Sequence, residues 1–119
     1  MDNQTSSAIQ EFSEYLLSTV PEFQELYQAR QQVNNDPVAK KIWSDKEEIQ
    51  ETIEFMKKNG LPISTEQQQN LAQKLKDMRE NPLTMRYLKA INYAVKISGK
   101  IGAQLEEIIG VNFASKNGC

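Results

Sequence analysis

Apolar residues recur along this chain at helical spacing. The strongest run is Tyr87, Leu88, Ile91, Ala94, Val95, Ser98, Ile101, Gly102, Leu105, Ile108 and Ile109, which follows i, i+3, i+4, i+7 steps. No stretch alternates apolar and polar residues between turn residues as a half-buried strand does. The breakers point the same way. Asp36-Pro37 and Asn81-Pro82 each pair an N-cap side chain with a proline at the first helical position, where its missing N–H would be unpaired anyway. Val20-Pro21 reads similarly, with Glu22 and Glu25 facing the positive end of the helix dipole. Gly60 suits the position just past a helix end, and Ser64-Thr65-Glu66-Gln67 offers a capping box for the next helix. The pattern predicts five helices, over about 7–19, 21–34, 37–59, 65–80 and 82–109, with Leu61-Pro62-Ile63 as the main loop.

The two long helices carry the apolar faces. In the fifth, Tyr87, Ala94, Ile101 and Ile108 lie seven apart, as in a coiled-coil seam, and Ala90, Ala94, Ser98 and Gly102 form a row of small side chains that another helix could approach closely. This row reads either as core packing or as a contact between copies. In the third helix Val38, Ile42, Ile49, Ile53 and Met56 make one seam. Trp43 and Phe55 lie off it and suggest a second buried surface, against a partner or under the shorter helices. The candidate core and dimer residues are therefore Ile42, Ile49, Ile53, Phe55, Met56, Leu88, Ile91, Val95, Ile101 and Leu105.

Length turns this into a prediction about assembly. A helix of about 28 residues is ~42 Å long, whereas a compact globule of this size has a radius of gyration near 13–14 Å and a diameter of roughly 35 Å. The apolar stripe continues to Ile109, so the overhang needs a cover, and a second subunit is the simplest one. The expected fold is all-α: an antiparallel helical bundle of about five helices built on the long helices at 37–59 and 82–109, homodimeric or of higher order. Residues 1–110 are expected to form one domain and 111–119 a flexible tail.

Composition narrows the chemistry. The 119 residues are 39% hydrophobic and 25% charged, enough for a core, with few Gly or Pro and a net charge of −2. That balance disfavours direct coating by RNA or DNA, so such contact would need a local patch. Residues 1–29 hold Asp2, Glu11, Glu14, Glu22 and Glu25 and no Lys or Arg, whereas residues 81–105 hold Arg86, Lys89, Lys96 and Lys100 and no acid. These four cations, with Tyr93 among them, fall opposite the apolar face. They read as a solvated face, as a docking strip for the acidic first helices of the same chain or its mate, or as a strip for a phosphate backbone.

Catalytic patterns are missing. There is no histidine, hence no imidazole base, no Ser-His or Cys-His pair and no His metal ligand. Glu47-Glu48, Glu51 with Glu54, and Glu106-Glu107 are helix-surface neighbours of the solvated kind, and no Gly-rich phosphate loop follows a strand. Cys119 is the single thiol: it cannot close an intrachain disulfide, and it could be a metal or cluster ligand only if shared with other chains. The expectation is a non-enzyme without a cofactor of its own. With no run of ~18 apolar residues and no basic-then-apolar start, it is also expected to be cytoplasmic and free of the membrane.

Three segments, Pro21-Glu22-Phe23-Gln24-Glu25-Leu26-Tyr27-Gln28-Ala29, Asn35-Asp36-Pro37-Val38-Ala39, and Asn81-Pro82 followed by Tyr87-Leu88-Lys89-Ala90, come in a set order and spacing. In this the chain resembles the YlbF/YmcA family, also called Com_YlbF, which includes YheA, over about residues 7–110. The resemblance implies a small helical bundle that dimerises through long helices. It implies a cytoplasmic bacterial regulator of competence, sporulation and biofilm formation, with other YlbF/YmcA-family or YaaT-like proteins as partners. Two members act with YaaT in a complex that influences RNA processing by RNase Y and can hold iron–sulfur clusters. Cluster-binding members carry several cysteines; this chain has only Gly118-Cys119, a departure that points toward the YheA branch.

Overall fold

The computed structural model describes residues 2–110, which form five helices: α1 (Asn3–Thr19), α2 (Pro21–Asn35), α3 (Pro37–Lys58), α4 (Thr65–Glu80) and α5 (Pro82–Ile109). No strand occurs among the described residues. The predicted tail at 111–119 and Cys119 lie outside them.

Local chemistry sets the boundaries. The Asp36 carboxylate accepts from the N–H groups of Val38 and Ala39, and the Asn81 side chain from those of Leu83 and Thr84, each with proline at the first helical position. Ser64 and Gln67 form the reciprocal capping box. Gly60 and Gly110 end α3 and α5 in the left-handed region that glycine adopts without steric cost. Helix α1 begins earlier than its apolar spacing predicts, because Asp2 caps it by accepting from the Thr5 N–H at 2.7 Å.

The bundle consists of two antiparallel pairs sharing one hub. Helix α3 runs out from the hub and α4 returns along it, as the Asp45–Lys74 ion pair and the Met56–Gln67 contact show. Helix α2 runs into the hub and α5 leaves it, packed along α2. The hub core joins Val33, Ala39, Trp43 and Met78, with Ile42, Leu75, Leu83, Tyr87, Leu88 and Ile91 packed against it. The two long helices thus diverge, meeting near the hub, where the Trp43 and Tyr87 rings lie 4.5 Å apart. Their main covers are the shorter helices α4 and α2.

This layout makes an extended molecule. Its radius of gyration is 18.2 Å and its extents are 48 × 38 × 26 Å, well beyond a compact body of this length. Helix α1 packs on α2 and buries none of its residues. No helix among the described residues is long and apolar enough to cross a membrane.

Candidate interaction surface

Helix α5 shows two apolar faces about a quarter turn apart. At 100° per residue, Ala90, Ala94, Ile97 and Ile101 fall within about 60° of one another. This is the face toward α2: Ala90 and Ala94 are buried, as is Ala29 on α2, and Ile97 and Ile101 are half-buried. The row of small residues is therefore split. Ala90 and Ala94 face α2 within the chain, whereas Ser98 and Gly102 continue beyond that packing.

The second face is open. Ile91, Val95, Ser98, Gly102, Leu105 and Ile109 alternate steps of four and three, a heptad seam in its own right. Ile91 and Leu88, at its near end, are half-buried against the hub. Farther out, Val95 is 64% exposed, Leu105 37% and Ile109 59%, and the flanking Ile108 is 80% exposed. Helix α1 adds Ile9, Phe12, Tyr15 and Leu17, all exposed.

The third-helix candidates divide differently. Ile53 is buried, and Ile42, Ile49 and Met56 are half-buried on the side toward α4 and the hub. Trp43 and Phe55 do not share a surface: Trp43 enters the hub core, whereas Phe55 stays 62% exposed. The Trp43 indole N–H donates to Glu47 at 2.6 Å, and the Lys46 ammonium sits 3.8 Å from the ring centroid. Burial pushes the Lys46 ammonium below the usual lysine range, with Glu47 opposing the shift.

The basic strip is partly used inside the chain. Arg86 reaches α2, making a bidentate pair with Glu25 and a hydrogen bond to Gln32. The bond from Arg86 holds the Glu25 carboxyl below its ordinary range. Lys96 lies 6.0 Å from the Tyr93 ring centroid, while Lys89 and Lys100 have no carboxylate partner among the described residues. Beside Arg86 opens a cleft of about 530 Å³, lined by Arg79 and Glu80 at the end of α4 and by Pro82, Met85, Lys89 and Tyr93. Two residues of this region escape sequence reasoning. Fully buried Thr84 ties α5 to α4 by donating to the Met78 carbonyl at 2.5 Å, and Arg79 joins the cleft from a different helix. The only sequence signal was their closeness to the Asn81-Pro82 break.

No group of three or more His, Cys, Asp or Glu side chains that could hold a metal occurs among the described residues. The surface is thus an apolar seam on one side of α5 and a cationic strip on the other. A family model described as control of competence regulator ComK, YlbF/YmcA, matches residues 6–109, nearly the whole chain. The chain belongs to the Com_YlbF family. That membership supports a regulatory role, and the five helices show the all-α bundle. No individual curated protein and no solved structure matches the chain.

Proposed function

We propose that this Com_YlbF protein is a non-enzymatic, cytoplasmic adaptor that acts as a homodimer and controls competence, with sporulation and biofilm formation as linked outputs. The observation that carries the reading is the open α5 seam from Val95 to Ile109, an apolar ribbon that α2 leaves uncovered. Exposed apolar surface of this extent on a small chain marks an interface. The dimer presents its cationic strips outward, where Lys89, Lys96 and Lys100 recruit an acidic partner, a family relative or a YaaT-like protein. Glu25 and Glu80 at the cleft favour a mixed-charge protein surface over a continuous phosphate chain.

The RNA-processing role implied by the resemblance, associated with RNase Y and linked to iron–sulfur clusters through ligands from other chains, would draw on the same strip. In that case replacing the three lysines with Gln lowers RNA affinity and flattens its salt dependence.

The test of the adaptor reading is the double variant Leu105→Asp/Ile109→Asp. Both side chains are exposed in the single chain, so helical content should hold, while the thermal midpoint should lose its dependence on protein concentration. Light scattering should show loss of the dimer, and cells producing the variant at normal levels should lose control of competence. A variant that remains dimeric and fully active would overturn the reading.

A further inference from the structure

We infer that α5 meets the α5 of a second copy antiparallel, with the two-fold axis passing between Ser98 and Gly102. This rests on the homodimer proposed above and adds its orientation and register.

The glycines give the first argument. Glycine inside a helix is destabilising relative to alanine, yet Gly99 and Gly102 both lie well inside α5. A Cβ built at either would meet nothing within 4 Å. Of the two, Gly102 lies on the open seam, and nothing described in the chain needs it bare. A helix arriving from outside does, because its closest approach falls where side chains are absent.

The limits of the open seam give the second. At its near end Ile91 is held against the hub, and at its far end α5 stops at Ile109, before the left-handed Gly110. The midpoint of Ile91 and Ile109 is position 100, two residues from Gly102. An antiparallel pairing about that point sets Ile91 against the partner's Ile109, Val95 against the partner's Leu105 and Ser98 against the partner's Gly102. Large side chains then meet large ones toward the ends, and small ones meet at the crossing. Lys100 faces away from the seam. The overlap spans about 28 Å at ~1.5 Å per residue. Two such strips about 15–20 Å wide bury roughly 1,000 Å² in total, the lower bound for a specific interface.

The helix dipoles give the third. A parallel pairing aligns them along the contact, and the antiparallel pairing opposes them.

Cross-linking of the full-length chain tests this, with Cys119→Ser removing the native thiol. Val95→Cys and Leu105→Cys proteins, each in that background, are oxidised separately and as a mixture. The mixture should give a disulfide-linked dimer well above either protein alone. Cross-linking within each separate pool, with none added by mixing, would show a parallel dimer and overturn the proposal. A spin label at exposed Lys89→Cys supplies a measurement that leaves the seam untouched. The antiparallel register separates the two labels by about 33 Å along the axis, so the distance distribution should peak beyond 30 Å; a peak near 20 Å overturns it. A protein that is dimeric by light scattering but fails both measurements contradicts the register and leaves the dimer standing, whereas a monomer removes both.

Discussion

Glu25 and Arg86 tie the middle of α2 to the start of α5, and their pairing titrates. The bond from Arg86 lowers the Glu25 pKa in the folded chain, so the stability it supplies is complete above the unfolded carboxylate value of about 4.3 and is lost as pH falls through the lower folded value. Glu25→Gln should therefore lower the thermal midpoint at pH 7, with the gap to wild type closing under strong acid. Both groups are substantially exposed, so salt should shrink the gap at pH 7 as well; a gap independent of pH and salt would contradict this. At this scale the sequence was legible where chemistry is local. Asp36, Ser64 and Asn81 cap the helices their spacing marks, because a cap needs nothing beyond three residues. Lys46 was not legible, and Trp43 only in part: its burial was expected, its place in the hub was not. Lys46 reads as a surface cation until the fold lays it over the Trp43 ring, and Trp43 sat off the Ile42–Ile53 seam because the surface it fills comes from α2, α4 and α5 together.

Among the elements, α5 holds two apolar faces where the periodicity alone shows one broad stripe. The stripe was plain in the sequence; its division between α2 and the outside was not, since the position of α2 depends on the hub. The division predicts opposite consequences for neighbouring residues. Ile101→Asp places a charge at the half-buried edge toward α2 and should cost the chain itself about 2 kcal/mol of stability. Ile109→Asp, beyond that cover, should leave the chain's stability within about 0.5 kcal/mol and weaken association alone. Gly102 separates the two effects further. Gly102→Leu improves helix propensity by roughly 0.8 kcal/mol while filling the space the crossing needs, so chemical denaturation should report a firmer helix as sedimentation reports a weaker dimer. If Gly102→Leu strengthens both, the crossing lies elsewhere. Helix α3 shows the same limit: its seam was readable, but its cover is α4, not α5 along its length.

The whole molecule is stretched out, with a radius of gyration of 18.2 Å where a compact chain of this length has about 13–14 Å. Two antiparallel pairs radiating from one hub leave little interior, and α1 contributes no buried residue to it. The length of the fifth helix pointed to an overhang, because a rod of ~42 Å cannot be sheltered by 119 residues folded into a ball, but not to two pairs diverging from a hub. The proposed consequence is that the family's regulatory role is exercised through surfaces completed by other chains, the first of them a second copy. Sedimentation equilibrium of the unmodified protein across a concentration series from nanomolar to tens of micromolar tests this most directly. The account predicts a reversible rise from one chain of 13.6 kDa to twice that mass, complete by the micromolar range; a mass that stays at 13.6 kDa through the whole series would contradict it.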